Sequence, residues 1–237
     1  SKKLPIGIYT VKEVQAPANY GLNPTVFTAD IEFAGQVVKL NVTDPVITAG
    51  VSIKKTGYAQ TMNNNVMRWT VSGVRNDSTT SLQSFYWRDT LPTDAVRLTR
   101  LVTGTYSTTQ TYKVTFTTNL NSQWRTAYDN LSTAKNYTLD MSSAALGLAS
   151  NEYVTQFMLS FGIVPAGFHQ LTNATVDAQT LYALTNGYKF TNKADVGGLL
   201  GGNWVQSIAR WTTSVYSHYV PAKPAAPKSP KLPRTGY

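Results

Sequence analysis

The feature that most constrains the fold is the alternation of apolar and polar residues in short segments separated by turn residues. In "VSIKK", Val51, Ile53 and Lys55 fall on one side of an extended chain, and Ser52 and Lys54 fall on the other. The same period recurs in "VMRWTVSGV" and "YKVTFTTN", with Gly, Pro and Asn between such segments. Alternation over this length is typical of strands buried on one face, so the sequence predicts an all-β protein built from β-sandwiches.

Composition supports the same fold class. Charged residues make up only 14% of the 237 residues, and the polar surface is supplied by Thr, Ser and Asn, while Val, Thr and Tyr favour pleated strands. Helical periodicity is weak except in Ser122–Leu131 and Ser142–Leu148. We expect these two stretches to be short helical insertions or turns.

Turn residues and composition divide the chain into four expected segments. Residues 1–44 contain three strand-like stretches, "IGIYTVKEV", "TVFTADIEF" and "QVVKLNVTD", which are too few for a complete sandwich. Residues 45–50 form a linker, and residues 51–219 form a larger immunoglobulin-like sandwich. In residues 220–237, Pro recurs every third position from Pro221 to Pro233, which predicts an extended polyproline-II stalk.

Several classes of functional site are not expected. The chain has no Cys, which excludes disulfides, thiolate metal sites and Cys nucleophiles, and its two His residues are too few for a histidine-based metal site. The net charge is +9, but Lys and Arg do not interleave with aromatics in a nucleic-acid-binding motif. The sequence therefore predicts no metal, no cofactor and no nucleic-acid partner.

A conventional enzyme active site is not expected either. The chain contains no nucleophile-elbow, phosphate-loop or zinc-protease motif. The glycine-rich stretch "GGLLGGN" (Gly197–Asn203) lacks the lysine that a nucleotide-binding loop needs, and it predicts a hairpin instead. His169 has no visible catalytic partner in the sequence.

The stretch "YTVKEVQAPANYGL" resembles the E-box of Cna B-type (SpaA-like) domains, which follows the pattern Tyr-x-Leu-x-Glu-x-x-Ala-Pro-x-x-Tyr. In that family a Glu assists an intramolecular isopeptide bond between a Lys on the first strand and an Asn or Asp on the last. The resemblance implies that Glu13 is the assisting acid and that Asp44 is the acceptor for a Lys upstream of residue 1. Alternatively, Glu13 is only an exposed strand residue. The matching positions are Tyr9, Glu13, Ala16, Pro17 and Tyr20, with Val11 at the Leu position.

Residues 51–219 resemble the isopeptide-forming domains of Gram-positive fimbrial and surface proteins. Those domains have an early strand ending in Lys, a D-x-L-P strand end and a late N-x-A-x-V-x-G strand. The corresponding stretches here are "VSIKK", "DTLP" (Asp89–Pro92) and "NKADVGG" (Asn192–Gly198). The resemblance implies an isopeptide bond between Lys55 and Asn192, with Asp89 as the assisting acid.

Strand alternation provides an independent check on this assignment. Lys55 shares a face with Val51 and Ile53, Asp89 shares one with Trp87, and Asn192 shares one with apolar neighbours in its own segment. A buried Lys, Asp and Asn are tolerated best if they meet. Burial lowers the pKa of an amine and raises that of a carboxyl, so neutral Lys55 could attack the Asn192 carboxamide.

Two alternatives to this bond stay open from the sequence alone. In the first, Lys55 reaches solvent and Asn192 caps a turn. In the second, one of the three residues bonds to a different partner.

The end of the chain resembles a sortase sorting signal, Leu-Pro-x-Thr-Gly. The residues that match are Leu232, Pro233, Arg234, Thr235 and Gly236. The resemblance implies cleavage between Thr235 and Gly236 and transfer of Thr235 to the peptidoglycan precursor. The apolar segment and basic tail that follow this signal in the family are not in the 237 residues, so we expect the chain to be a fragment.

Together these features predict a secreted structural or adhesive protein on the cell wall of a Gram-positive bacterium, of the pilin or pilus-anchoring type. Its expected partners are sortase, peptidoglycan and other pilin subunits. The alternative is an adhesin module that binds a host glycan or protein. A third class, a wall-anchored enzyme, would need an active site outside these residues. No Tyr-Pro-Lys pilin motif is present, so the sequence does not separate shaft subunit, anchor and monomeric adhesin.

Overall fold

The structure, a computed structural model, describes residues 4–17, 20–62 and 65–216 and is all-β. These ranges contain fifteen strands and no α-helix. The strands are β1 (Gly7–Lys12), β2 (Val26–Ile31), β3 (Val51–Gly57), β4 (Val66–Asn76), β5 (Leu82–Thr90), β6 (Val96–Val102), β7 (Thr105–Tyr106), β8 (Thr111–Thr118), β9 (Arg125–Ser132), β10 (Thr138–Asp140), β11 (Val154–Val164), β12 (Gln170–Thr172), β13 (Ala174–Thr180), β14 (Lys189–Leu200) and β15 (Asn203–Ser214).

Two large antiparallel sheets form a sandwich from β3 onward. The five-stranded sheet has the order β10-β6-β13-β4-β3, and the six-stranded sheet has the order β15-β14-β5-β11-β8-β9. Their inward-facing residues form one apolar core. The sheets meet, for example, where Trp69 of β4 packs edge-on against Phe190 of β14, with ring centroids 6.4 Å apart. Alternation of inward and outward side chains gives each strand its buried face.

The glycine-rich stretch between β14 and β15 forms the predicted hairpin. Gly201 and Gly202 make the turn with φ values of +55° and +86°, the backbone that a two-residue hairpin loop requires at both positions. Gly197 and Gly198 lie within β14 and not in the loop. The hairpin prediction is confirmed, and the loop is shorter than the glycine-rich stretch suggests.

The predicted helical insertions are wrong. Most of Ser122–Leu131 belongs to β9, which pairs with the edge of β8 and packs Tyr128 and Leu131 against the core. Pairing with an open strand edge satisfies the backbone there, and this outweighs a weak local helical pattern. Ser142–Leu148 forms successive turns, which is the other alternative that the sequence left open.

The third strand predicted in residues 1–44 is also wrong. In the described part of this segment only β1 and β2 form a strand pair, and the stretch from Gln36 to Asp44 belongs to no strand. Alternating side chains alone do not make a strand, because the backbone also needs a neighbouring chain to bond. Ala29 is the one buried apolar residue described before Val46, and Ile8 and Val37 are 73% and 81% exposed.

The predicted stalk, residues 220–237, lies outside the described residues, as does the end of the segment 51–219. Within the ranges that the structure describes, no helix has the length and apolar character needed to cross a membrane.

Candidate crosslinking site

Lys55 lies on β3, the edge strand of the five-stranded sheet, and points into the core. Alternation along β3 leaves Lys54 exposed and buries Ile53 and Lys55. Lys55 is only 5% exposed. Lys55 is paired with Val71 of β4. The edge position brings its long side chain to the seam where the two sheets come together, since β3 also contacts β14 and β15.

Asp89 and Asn192 lie in the opposite sheet, on the neighbouring strands β5 and β14. Asp89 is registered with Ala194, so Asn192 is its diagonal neighbour two residues along β14. Such diagonal positions on one face of a sheet are within reach of each other's side chains. Both residues are fully buried, with no exposed surface.

Nζ of Lys55 donates a hydrogen bond to Oδ2 of Asp89, and both side chains are completely shielded from solvent. This contact joins the two sheets through polar groups inside an apolar core. Removing two charges from water costs several kcal/mol per ion, so such a pair is weak support for stability.

Asn192 sits beside this pair with its polar atoms unsatisfied. Neither its Oδ1 nor its Nδ2 makes a hydrogen bond of good geometry within the described part of the chain, and the same holds for Oδ1 of Asp89. An unmade hydrogen bond in a core costs about 1–3 kcal/mol. Asn192 lies within β14 and Lys55 is buried, so the alternative of a turn cap and a solvent-reaching lysine is wrong.

The electrostatics favour neutral forms of both ionisable groups. Desolvation lowers the pKa of Lys55 below its ordinary value, although the charge and hydrogen bond of Asp89 oppose this. Desolvation likewise raises the pKa of Asp89, against the opposing effects of Lys55 and of the Asn192 side chain. A neutral amine is nucleophilic, and a protonated carboxyl can donate a proton to a carboxamide.

Trp69 covers the lysine and was not identified from the sequence. Its ring centroid lies 5.7 Å from Nζ of Lys55, and the side chain is fully buried. Gly57 allows this position, because a Cβ there would stand 2.6 Å from Cδ1 of Trp69 and 3.0 Å from Cδ1 of Trp211. The alternation in "VMRWTV" could have identified Trp69, because Met67, Trp69 and Val71 fall together on the inner face of β4.

The second predicted pair, Glu13 and Asp44, is also brought together. Oε2 of Glu13 accepts a hydrogen bond from the backbone amide of Asn23 at 2.6 Å. The pKa of Asp44 is raised, first by loss of solvent around the carboxyl and then by the charge and hydrogen bond of Glu13. The two carboxyls thus form a close acidic pair near the end of the first segment.

The sorting-signal residues Leu232–Gly236 lie outside the described residues.

Across residues 4–17, 20–62 and 65–216, no group of three or more His, Cys, Asp or Glu side chains could hold a metal ion. Nδ1 of His169 lies 2.8 Å from the carbonyl oxygen of Gly167 and donates to it in the tautomer that carries the proton on Nδ1.

Comparison with known proteins gives one family match. Residues 1–46 match the SpaA family, described as a prealbumin-like fold domain. This range contains the Tyr9–Leu22 stretch and both carboxyls of the Glu13–Asp44 pair. No curated protein matches the chain.

Solved structures with distant likeness include two pilins and one adhesin domain. The full-length major pilin SpaD from Corynebacterium diphtheriae is 16% identical with a TM-score of 0.39, and the match covers 88% of this chain and 47% of that one. The major pilin subunit BcpA of Bacillus cereus is 10% identical with a TM-score of 0.35, covering 90% and 56%. A collagen-binding domain from a Staphylococcus aureus adhesin is 11% identical with a TM-score of 0.32, covering 72% and 100%. The chain spans about half the length of the two pilins.

Proposed function

We propose that the chain is part of a structural or adhesive surface protein of a Gram-positive bacterium, of the pilin or pilus-anchoring type. Its sandwich is stabilised by an isopeptide bond between Lys55 and Asn192, and sortase attaches it to peptidoglycan. The observation that carries this proposal is the meeting of Lys55, Asp89 and Asn192 in a solvent-free core. The match of residues 1–46 to the SpaA family supports it.

The proposed reaction is a single turnover within the folded chain. Nζ of neutral Lys55 attacks Cγ of Asn192, and a new amide C–N bond forms as the bond from Cγ to Nδ2 breaks. Protonated Asp89 polarises the carboxamide and gives its proton to the leaving nitrogen, and the resulting carboxylate takes a proton from the attacking amine, which regenerates the acid. Nδ2 leaves as ammonia, so atoms and charge balance without a cofactor.

The intact mass of the purified chain tests this proposal. We expect a mass lower than that of the sequence by one ammonia, and a proteolytic fragment in which the peptides containing Lys55 and Asn192 remain joined. An unmodified mass for the folded wild-type chain would contradict the bond.

Attachment to the wall is proposed from the sequence Leu-Pro-Arg-Thr-Gly at residues 232–236. When the chain is incubated with a sortase and a triglycine amine, we expect cleavage between Thr235 and Gly236. The carbonyl of Thr235 would transfer to the glycine amine, with release of the dipeptide Gly-Tyr. A Pro233→Ala variant provides the control and should remain uncut. An uncut wild-type chain would remove the support for wall attachment.

We further propose that residues 1–44 are the C-terminal part of a Cna B-type domain. Glu13 would then assist amide formation between Asp44 and a lysine upstream of residue 1. Because Asp44 is a carboxylic acid, this second reaction would release water and not ammonia. A chain extended upstream should therefore lose one further water, and Glu13→Ala should prevent that loss.

The second candidate function is binding of a host glycan or protein by the larger sandwich. A concave surface with exposed aromatic side chains on the outer face of the six-stranded sheet favours it. This role is compatible with wall attachment, since an adhesin module needs a covalent anchor as much as a pilin does.

A further inference from the structure

A cavity of about 710 Å³ lies on the outer face of the six-stranded sheet. This volume is in the range of sites that bind small ligands, about 300–1,000 Å³. It faces away from the crosslinking site: on β5, Asp89 points into the core while Arg88 lines the cavity. The cavity therefore has no part in the proposed amide chemistry.

The shape of the cavity follows from one row of residues across five strands. Backbone pairing places Gln206, Gly197, Tyr86, Ser160 and Lys113 side by side on β15, β14, β5, β11 and β8. The small residues on either side of Tyr86 leave a depression in the sheet surface. The longer side chains at the two ends of the row rise above it.

Polar contacts hold the floor of the cavity in place. Gly197 lets the Tyr86 ring lie against bare backbone, because a Cβ there would stand 3.0 Å from the ring. The Tyr86 hydroxyl donates to Asp195 at 3.1 Å and accepts from Nε2 of Gln206 at 3.1 Å. Arg88 donates to both carboxylate oxygens of Asp195, at 3.1 and 3.0 Å. The floor is thus arranged before any ligand arrives.

Two exposed tryptophans line opposite ends of the cavity. Trp204 is 54% exposed, and its ring stands at 74° to the Tyr86 ring with centroids 5.9 Å apart, so it forms a wall over the floor. Trp124 is 40% exposed and precedes β9, at the other edge of the sheet. Large exposed aromatic faces beside a polar floor are typical of binding surfaces.

We propose that this cavity binds a neutral oligosaccharide. Charges of both signs lie at the cavity: Arg88 is paired with the underlying Asp195, and the lining contains both Lys113 and Asp129, a balance that does not favour an anionic ligand. The tryptophan faces suit the apolar faces of sugar rings. The planar polar groups of Arg88 and Gln206 suit pairs of adjacent hydroxyls. The inference deepens the adhesive form of the proposed surface role and rests on it.

Binding of the folded 237-residue chain to an array of immobilised neutral, sialylated and sulfated oligosaccharides tests the proposal. Binding to immobilised native type I collagen is measured in parallel, to test for a protein ligand. We expect binding to a subset of the neutral sugars, weakened at least about tenfold in Trp204→Ala and in Trp124→Ala. Tyr182→Ala, which removes an equally exposed aromatic ring outside the cavity, should bind as the wild type does.

Several results would overturn the assignment. These are no binding to any sugar, binding confined to sialylated or sulfated sugars, unchanged binding in both tryptophan variants, or loss of collagen binding alone in those variants. Thermal unfolding of each variant checks that it is folded. The change in tryptophan fluorescence upon sugar addition provides a second measurement, and it should be smaller in Trp204→Ala than in the wild type. If no sugar binding is found, the expected ammonia loss and sortase reaction are unaffected. The sugar-binding proposal and the proposed function can therefore fail separately.

Discussion

Nζ of Lys55 donates directly to the carboxyl of Asp89, although the two residues belong to opposite sheets of the sandwich. Asp89 is fully buried and one of its oxygens has no other partner in the described structure. The contact therefore positions an amine next to an acid and beside the carboxamide of Asn192.

Removal of Lys55 or Asp89 should abolish the loss of ammonia. Lys55→Ala removes the nucleophile, and Asp89→Ala removes the group that transfers the protons, so both variants should have the full mass of their sequences. Lys54→Ala is the matched control, because Lys54 is the exposed neighbour on the same strand and should leave the mass change intact. Intact-mass spectrometry measures all three. Ammonia loss that persists in Lys55→Ala would assign the bond to another lysine.

Asn192→Ala should lower the free energy of unfolding by about 5 kcal/mol, the chain-entropy value for closing a loop of this length. The substitution removes no hydrogen bond of good geometry, so the loss reports the crosslink. The dependence of unfolding on guanidinium should also steepen, because an uncrosslinked unfolded chain exposes more surface. Thr191→Ala, on the exposed face of the same strand, is the control and should differ little from the wild type. Equal stability of Asn192→Ala and the wild type would exclude a stabilising crosslink.

Gly57→Ala should impair both stability and crosslinking. The added methyl group would displace Trp69, whose Cδ1 lies 2.6 Å from the ideal Cβ position. Crowding of this kind typically costs about 1–3 kcal/mol. Since Trp69 covers Lys55, we expect a fraction of the chains to keep the full mass. Thr56→Ala at the neighbouring exposed position should form the bond completely, and complete crosslinking in Gly57→Ala would show that Trp69 is not needed for positioning.

Asp177 should make stability depend on pH in the acid range. Burial opposes ionisation of Asp177, but hydrogen bonds from Arg68 and Arg100 outweigh it and hold its pKa below the ordinary value. The unfolded state then binds the proton more readily, so the stabilisation is present above the unfolded-state pKa, about 3.9. It is lost as the pH falls through the lower, folded-state pKa. Asp177→Asn should therefore be less stable at pH 7 by about 2 kcal/mol.

Thermal unfolding of Asp177→Asn and the wild type across pH 2–7 measures this dependence. The difference between the two should shrink as the pH drops below about 4. Asp30→Asn, at an exposed position in β2, is the control. A difference that stays constant down to pH 2 would contradict the role of the Asp177 carboxylate.

Alternation made the inward residues of the site predictable from the sequence. A buried Lys55 and an exposed Lys54 follow from the period of two in "VSIKK", and the same rule places Asp89 and Asn192 on inner faces. Periodicity gives the face of a strand but not its neighbours. The pairing of β5 with β14 joins residues more than a hundred positions apart, and only the resemblance to isopeptide-forming domains suggested it.

The wrong strand and helix predictions, and the cavity that was missed, have the same cause: the sequence does not show which strands are neighbours. The stretch that forms β9 has no strong strand pattern, yet it pairs with an available edge of β8. The segment from Gln36 to Asp44 has a clear strand pattern, yet it forms no strand. The cavity on the outer face was missed because its floor depends on Gly197 lying beside Tyr86 across two strands.

The first and last strands of the larger sandwich have a mechanical consequence. β3 and β15 are edge strands of opposite sheets, and a parallel bridge between Gln60, three residues beyond the end of β3, and Ser214 indicates that they run in the same direction. Tension applied through the chain at Val51 and at Ser214 therefore shears them lengthwise, and many contacts must yield together. With an amide from Lys55 to Asn192, that load would pass from β3 directly to β14. The residues from 56 to 191 would then carry no tension. The cavity on the outer face of the six-stranded sheet, which these residues largely form, would keep its shape while the anchored chain is stretched.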